Sequence, residues 1–168
     1  MIDYDAFLRE HGKKIFEETK LSSHNLTERG MVFKHEETGS MRLLFDRSWW
    51  GTPRRLILPI PDEHKRADLI IIHSHLNTPI HSFTDMTNFI HTPGLVWLGT
   101  AVYDKHTDTV RLRSVNLRTL VPRGVGPSTV AFLENILNYK YNMPTGPRVH
   151  IKDTVIRNGT IVKAKARL

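Results

Sequence analysis

Leu69-Ile70-Ile71-Ile72 is an unbroken apolar run that ends in His73-Ser74-His75. A run of this length, rich in β-branched residues, predicts a central strand covered on both faces. Residues two apart in a strand point to the same side. His73 and His75 therefore share one face, and Ser74 points away into the opposite layer. The chain has no cysteine and ten histidines. Disulfides, thiolate zinc sites, iron–sulfur clusters and thiol nucleophiles are excluded, and any transition metal has to be held by imidazoles and carboxylates.

Asp85 stands ten residues beyond His75, near the start of a short helix predicted over Ser82–His91 and ended by Pro93-Gly94. Two histidines and one carboxylate leave a fourth tetrahedral position for water, which is the layout of a catalytic zinc site. The expected ligand set is His73, His75 and Asp85, holding one zinc ion per chain. His81 is a substitute ligand. A plainer reading makes Ser82-x-x-Asp85 a helix N-terminus, with Ser82 capping and Asp85 favoured by the helix dipole.

Around this segment the pattern predicts one α/β (α+β) domain over residues 1–168, with a mixed central sheet flanked by helices. The core spans about 1–145 and an extra β-hairpin about 148–165. A helix capped by Asp3 is expected over 3–19, then a polar loop from Ser22 to Thr27. Met31–His35 and Met41–Phe45 form a hairpin about Thr38-Gly39. Further strands are expected at Arg54–Ile60, Leu95–Tyr103 and Thr109–Val115, and an amphipathic helix at Ser128–Tyr141. Val149–Lys165 reads as two strands about Asn158-Gly159, a strong turn signal. Residues 46–55 form a candidate substrate-contacting loop, with Trp49 and Trp50 as anchors or core residues.

The net charge of +7 concentrates in the last third, from Arg111 to Arg167. It marks either a solvated basic face or an attraction for an acidic partner. The N-terminus lacks a signal-peptide pattern, and no stretch approaches the roughly 18 apolar residues of a membrane span. A cytoplasmic location without membrane association is the expectation.

His73-x-His75 followed by Ser82-x-x-Asp85 resembles the motif of the JAMM/MPN+ zinc metalloproteases, or JAB domains. Six residues (76–81) separate His75 from Ser82, one fewer than the family's usual spacer. Glu28-Arg29-Gly30-Met31-Val32-Phe33 resembles the family's upstream strand, whose leading glutamate is the acid/base. Glu36 and Glu37 are the rivals for that role. The resemblance covers residues 1 to about 120 and leaves the terminal hairpin unexplained. It implies a cytidine-deaminase-like JAB/MPN architecture and amide hydrolysis of a protein or peptide, such as the isopeptide bond of a ubiquitin-like protein. It also implies Glu28 as acid/base, Ser82 as oxyanion donor and zinc on His73, His75 and Asp85. The long insertion with which eukaryotic deubiquitinating members grip their substrates has no counterpart between Asp85 and Gly94.

Two alternatives stand beside it. A catalytically inactive JAB-fold scaffold or binding module would share the fold without the metal. A metal-dependent phosphoesterase acting on nucleic acid would suit the positive charge, but needs further ligands of which His64, His91 and His106 are candidates only in principle.

Overall fold

The computed structural model describes residues 2–44, 49–50, 60–64, 67–76, 92, 94–116 and 151–167. The predicted helices at Ser82–His91 and Ser128–Tyr141 lie outside the described residues, as does the predicted strand from Arg54 as far as Pro59. Ile60 is described and is not in a strand.

The chain is a mixed α+β structure. Helix α1 (Tyr4–Asn25) packs on an eight-stranded sheet. The strands are β1 (Arg29–His35), β2 (Met41–Leu43), β3 (Trp49–Trp50), β4 (Leu69–Ser74), β5 (Leu95–Asp104), β6 (Thr109–Asn116), β7 (Ile151–Arg157) and β8 (Thr160–Arg167). The path across the sheet is β2-β1-β4-β5-β6-β7-β8, and β3 pairs with the start of β1. Among the described pairs only β4 and β5 run parallel. Among the described residues, no helix is long and apolar enough to cross a membrane.

Asp3 caps α1 by accepting from the Ala6 amide at 3.0 Å. The helix runs past the predicted end and takes in Ser22–Asn25, most of the expected polar loop. It stops where Leu26 turns left-handed (φ 53°) and the Thr27 amide returns to the Ser22 carbonyl at 3.2 Å. Serine and asparagine are poor helix formers in isolation because their side chains compete for backbone groups. Here the Ser22 hydroxyl bonds the Thr27 carbonyl just past the helix end and the Ser74 hydroxyl of β4, so it closes the helix where it stands.

The core lies between α1 and one sheet face. Phe7, Leu8, Ile15 and Phe16 meet Met31, Phe33, Ile70, Ile72, Ala101 and Leu112. Tyr4 stacks on Trp97 with ring centroids 4.1 Å apart, and its hydroxyl bonds the Ser114 hydroxyl. Burial pushes the Tyr4 phenol far above its ordinary value, and the Ser114 bond only partly opposes this. The opposite sheet face is buried as well, at Val32, Ile71, Leu98, Val102 and Val115. All four residues of the apolar run in β4 are fully buried, as predicted for a strand covered on both sides.

The β1–β2 and β5–β6 hairpins form as expected. Trp49 and Trp50, placed by the sequence reading in a loop, instead pair with Gly30 and Arg29. The terminal hairpin is no appendage: β7 pairs with β6 along six residues, and β8 closes the sheet. Its exposed Lys163 fits the usual protection of an edge strand, where a charge discourages pairing with another chain. Asn158 (φ 48°) and Gly159 (φ 91°) make the two-residue turn. That turn sits against α1, and a Cβ on Gly159 would lie 2.8 Å from Lys13 Cβ. Gly159→Ala is expected to cost at least about 1–2 kcal/mol, the usual penalty of a left-handed alanine. The shift of the urea midpoint measures it. Unchanged stability would mean that the turn does not bear on the helix.

Candidate functional site

The site starts from the end of β4. His73 is buried and His75 half-buried. Two residues along a strand span roughly 6.5 Å, yet the two Nε2 atoms approach to 3.1 Å. The rings lean together, with centroids 4.8 Å apart and planes at 72°. Two Zn–N bonds at a tetrahedral angle would hold such nitrogens about 3.3 Å apart. The donor pair thus fits one zinc ion. Without metal, the same approach lets one neutral imidazole donate to the other. The His75 amide donates to the Ala101 carbonyl at 2.9 Å, which ties the strand end to β5.

Glu28 comes to this place through β1. Gly30 pairs with His73 in the antiparallel β1–β4 ladder. Glu28 stands two residues before Gly30, just ahead of the paired part of β1, as His75 stands two residues beyond His73. Successive side chains of a strand alternate between its faces. His73 therefore belongs to the sheet face away from α1, opposite to Ile70 and Ile72, which face the helix. Glu36 and Glu37 lie at the other end of β1, roughly 26 Å along the strand. They line a separate open cleft of about 670 Å³ between α1 and the β1–β2 hairpin, with His11 and His35. The Arg42 guanidinium pairs with Glu36 and holds its carboxyl below the ordinary value.

The face continues as a polar row. Thr100 pairs with His73 in β5 and is fully buried, and Arg113 pairs with Thr100 in β6. Arg113 grips Asp153 of β7 through two bonds of 2.7 and 3.1 Å. Sequence reading missed this row because its members come from strands far apart in the chain. Among the candidates for a phosphoesterase, His64 sits in a short 3-10 turn with Glu63 at 3.6 Å, and His106 is exposed in the β5–β6 turn.

Ser82, Asp85 and the alternative ligand His81 lie outside the described residues, as does His91. They belong to the sequence between the parallel neighbours β4 and β5. Among the described residues no group of three histidines or carboxylates gathers as a metal cage. No family model, curated protein or solved structure matches the chain.

Proposed function

We propose that the chain is a zinc-dependent peptidase or isopeptidase of the JAMM/MPN+ type, with the cytidine-deaminase-like architecture of that family. The observation that carries the reading is the approach of His73 Nε2 and His75 Nε2 to 3.1 Å at the end of a buried strand, with Glu28 just ahead of the strand that pairs with it. His73, His75 and Asp85 would hold the ion. Bound there, zinc would lower the pKa of water from about 15.7 toward 7 and polarise the carbonyl.

The chain's own groups supply the rest. Glu28 accepts the proton of the attacking water and passes it to the leaving amine, which needs one carboxylate within reach of both. Ser82 donates a hydrogen bond to the carbonyl oxygen as charge builds there, on the order of 3 kcal/mol for such donors. The substrate is an amide bond in a protein or peptide, and a ubiquitin-like C-terminus is the class the motif favours. The basic last third would draw an acidic partner or an acidic substrate surface.

Elemental analysis of purified protein tests the reading. About one zinc per chain is expected, with loss in His73→Ala and Asp85→Ala. A folded wild-type protein that takes up no zinc would overturn it and favour the scaffold. Zinc uptake accompanied by nuclease activity would point to the phosphoesterase.

A further inference from the structure

Ser74 stands between the two histidines and projects to the other face, toward α1. It is buried, and its Oγ accepts the Arg29 amide at 2.8 Å. At that point β1 and β4 no longer need a ladder bond, because the side chain replaces it. Ser74 Oγ lies 2.5 Å from Ser22 Oγ, in the last turn of α1. Ser22, also buried, donates to the Thr27 carbonyl at 2.5 Å. Arg29 N–H donates to Ser74, and Ser22 O–H donates to Thr27 C=O. The Ser74 O–H then faces two acceptors, Ser22 Oγ at 2.5 Å and the Arg29 carbonyl at 3.4 Å, of which the nearer is the Ser22 oxygen.

The two ends of this relay are the peptide groups on either side of Glu28. The Thr27 carbonyl belongs to the peptide before its Cα, and the Arg29 amide to the peptide after it. Fixing both peptide planes fixes φ and ψ at Glu28, and hence the direction of its Cα–Cβ bond. Glu28 precedes the hydrogen-bonded part of β1 and follows a left-handed helix end. The serines provide what the ladder does not.

We infer that Ser22 and Ser74 form a hydroxyl clamp that positions Glu28 relative to the His73–His75 pair. The inference rests on the hydrolase reading for its catalytic meaning. Neither serine touches substrate, so both are positioning residues. The clamp couples the acid/base to the ligand strand from behind, through the residue between the two ligands.

The test uses Ser22→Ala, Ser74→Ala and Ser74→Thr in the full chain. The measurements are zinc affinity by chelator competition, amide exchange along β1, and hydrolysis of ubiquitin carrying a C-terminal aminocoumarin amide. Both alanine variants should keep zinc affinity within about threefold of wild type. Arg29 amide exchange should quicken about tenfold while Val32 is unmoved, because a buried donor has lost its acceptor or its support. Where the probe is cleaved, kcat should fall about tenfold with KM held, and Ser74→Thr should restore it. If Arg29 exchange is indifferent to both substitutions in a zinc-loaded protein, there is no clamp. Loss of zinc from folded Ser74→Ala would also overturn it, since the serine would then organise the ligands and not Glu28. Wild-type protein without zinc defeats the hydrolase reading instead, and with it the catalytic role of the clamp.

Discussion

Glu28→Gln is expected to retain one zinc per chain and to lose about 10²- to 10⁴-fold in kcat, the usual range for a general acid/base. Glutamine has the same shape and can still hydrogen-bond a water, but it cannot take a proton and carry it to an amine. Zinc content separates this loss from damage to the metal site, because Glu28 is not in the proposed ligand set. Glu36→Gln and Glu37→Gln serve as controls. They belong to the far end of β1 and to a different cleft, so their rates should match wild type. Full activity in Glu28→Gln together with loss in Glu36→Gln would reassign the acid/base and detach it from the histidine pair.

The β4 histidines could be read from the sequence because both requirements are local. A continuous apolar run dictates a doubly covered strand, and the period of two puts His73 and His75 on one side. The Asn158-Gly159 turn was equally legible, since only its own backbone sets it. Three glutamates competed for the acid/base role because nothing local ranks them. The β1–β4 pairing bears on that proposal, since it brings the start of β1, next to Glu28, to His73 and leaves Glu36 and Glu37 beyond the other end, and it joins residues far apart in the chain. The end of α1 was misread for a related reason. Ser22 favours a loop until Ser74, 52 positions on, supplies a partner for its hydroxyl. The pairing of Trp49-Trp50 with Arg29-Gly30 is too short to leave any periodicity.

Glu18→Ala is expected to destabilise the fold by about 3–5 kcal/mol, the cost of removing one partner from a buried ion pair. Glu18 and Arg29 are 6 % and 5 % exposed, and their charged atoms approach to 2.5 Å. Lys14 reaches the other carboxylate oxygen of Glu18 at 3.2 Å. The two single deletions are not equivalent. With Arg29 removed, Glu18 keeps Lys14. With Glu18 removed, the guanidinium cannot shed its charge. Either single deletion should lower the urea midpoint, and an unchanged midpoint in both would mean that the pair does not bear on stability. A total stability of about 5–15 kcal/mol is usual for a domain, so Glu18→Ala removes a large part of it. The pair Glu18→Leu with Arg29→Met separates stability from positioning. Well-packed apolar replacements of a buried pair are often neutral or stabilising, so the double variant should fold at least as well as either single one. Arg29 directly follows Glu28, and its amide ends the serine relay. A stable double variant with zinc bound and kcat intact would make the ion pair an incidental core feature. A stable double variant with zinc bound and kcat reduced would mean that the charges, like the serines, hold the start of β1 in register for the acid/base.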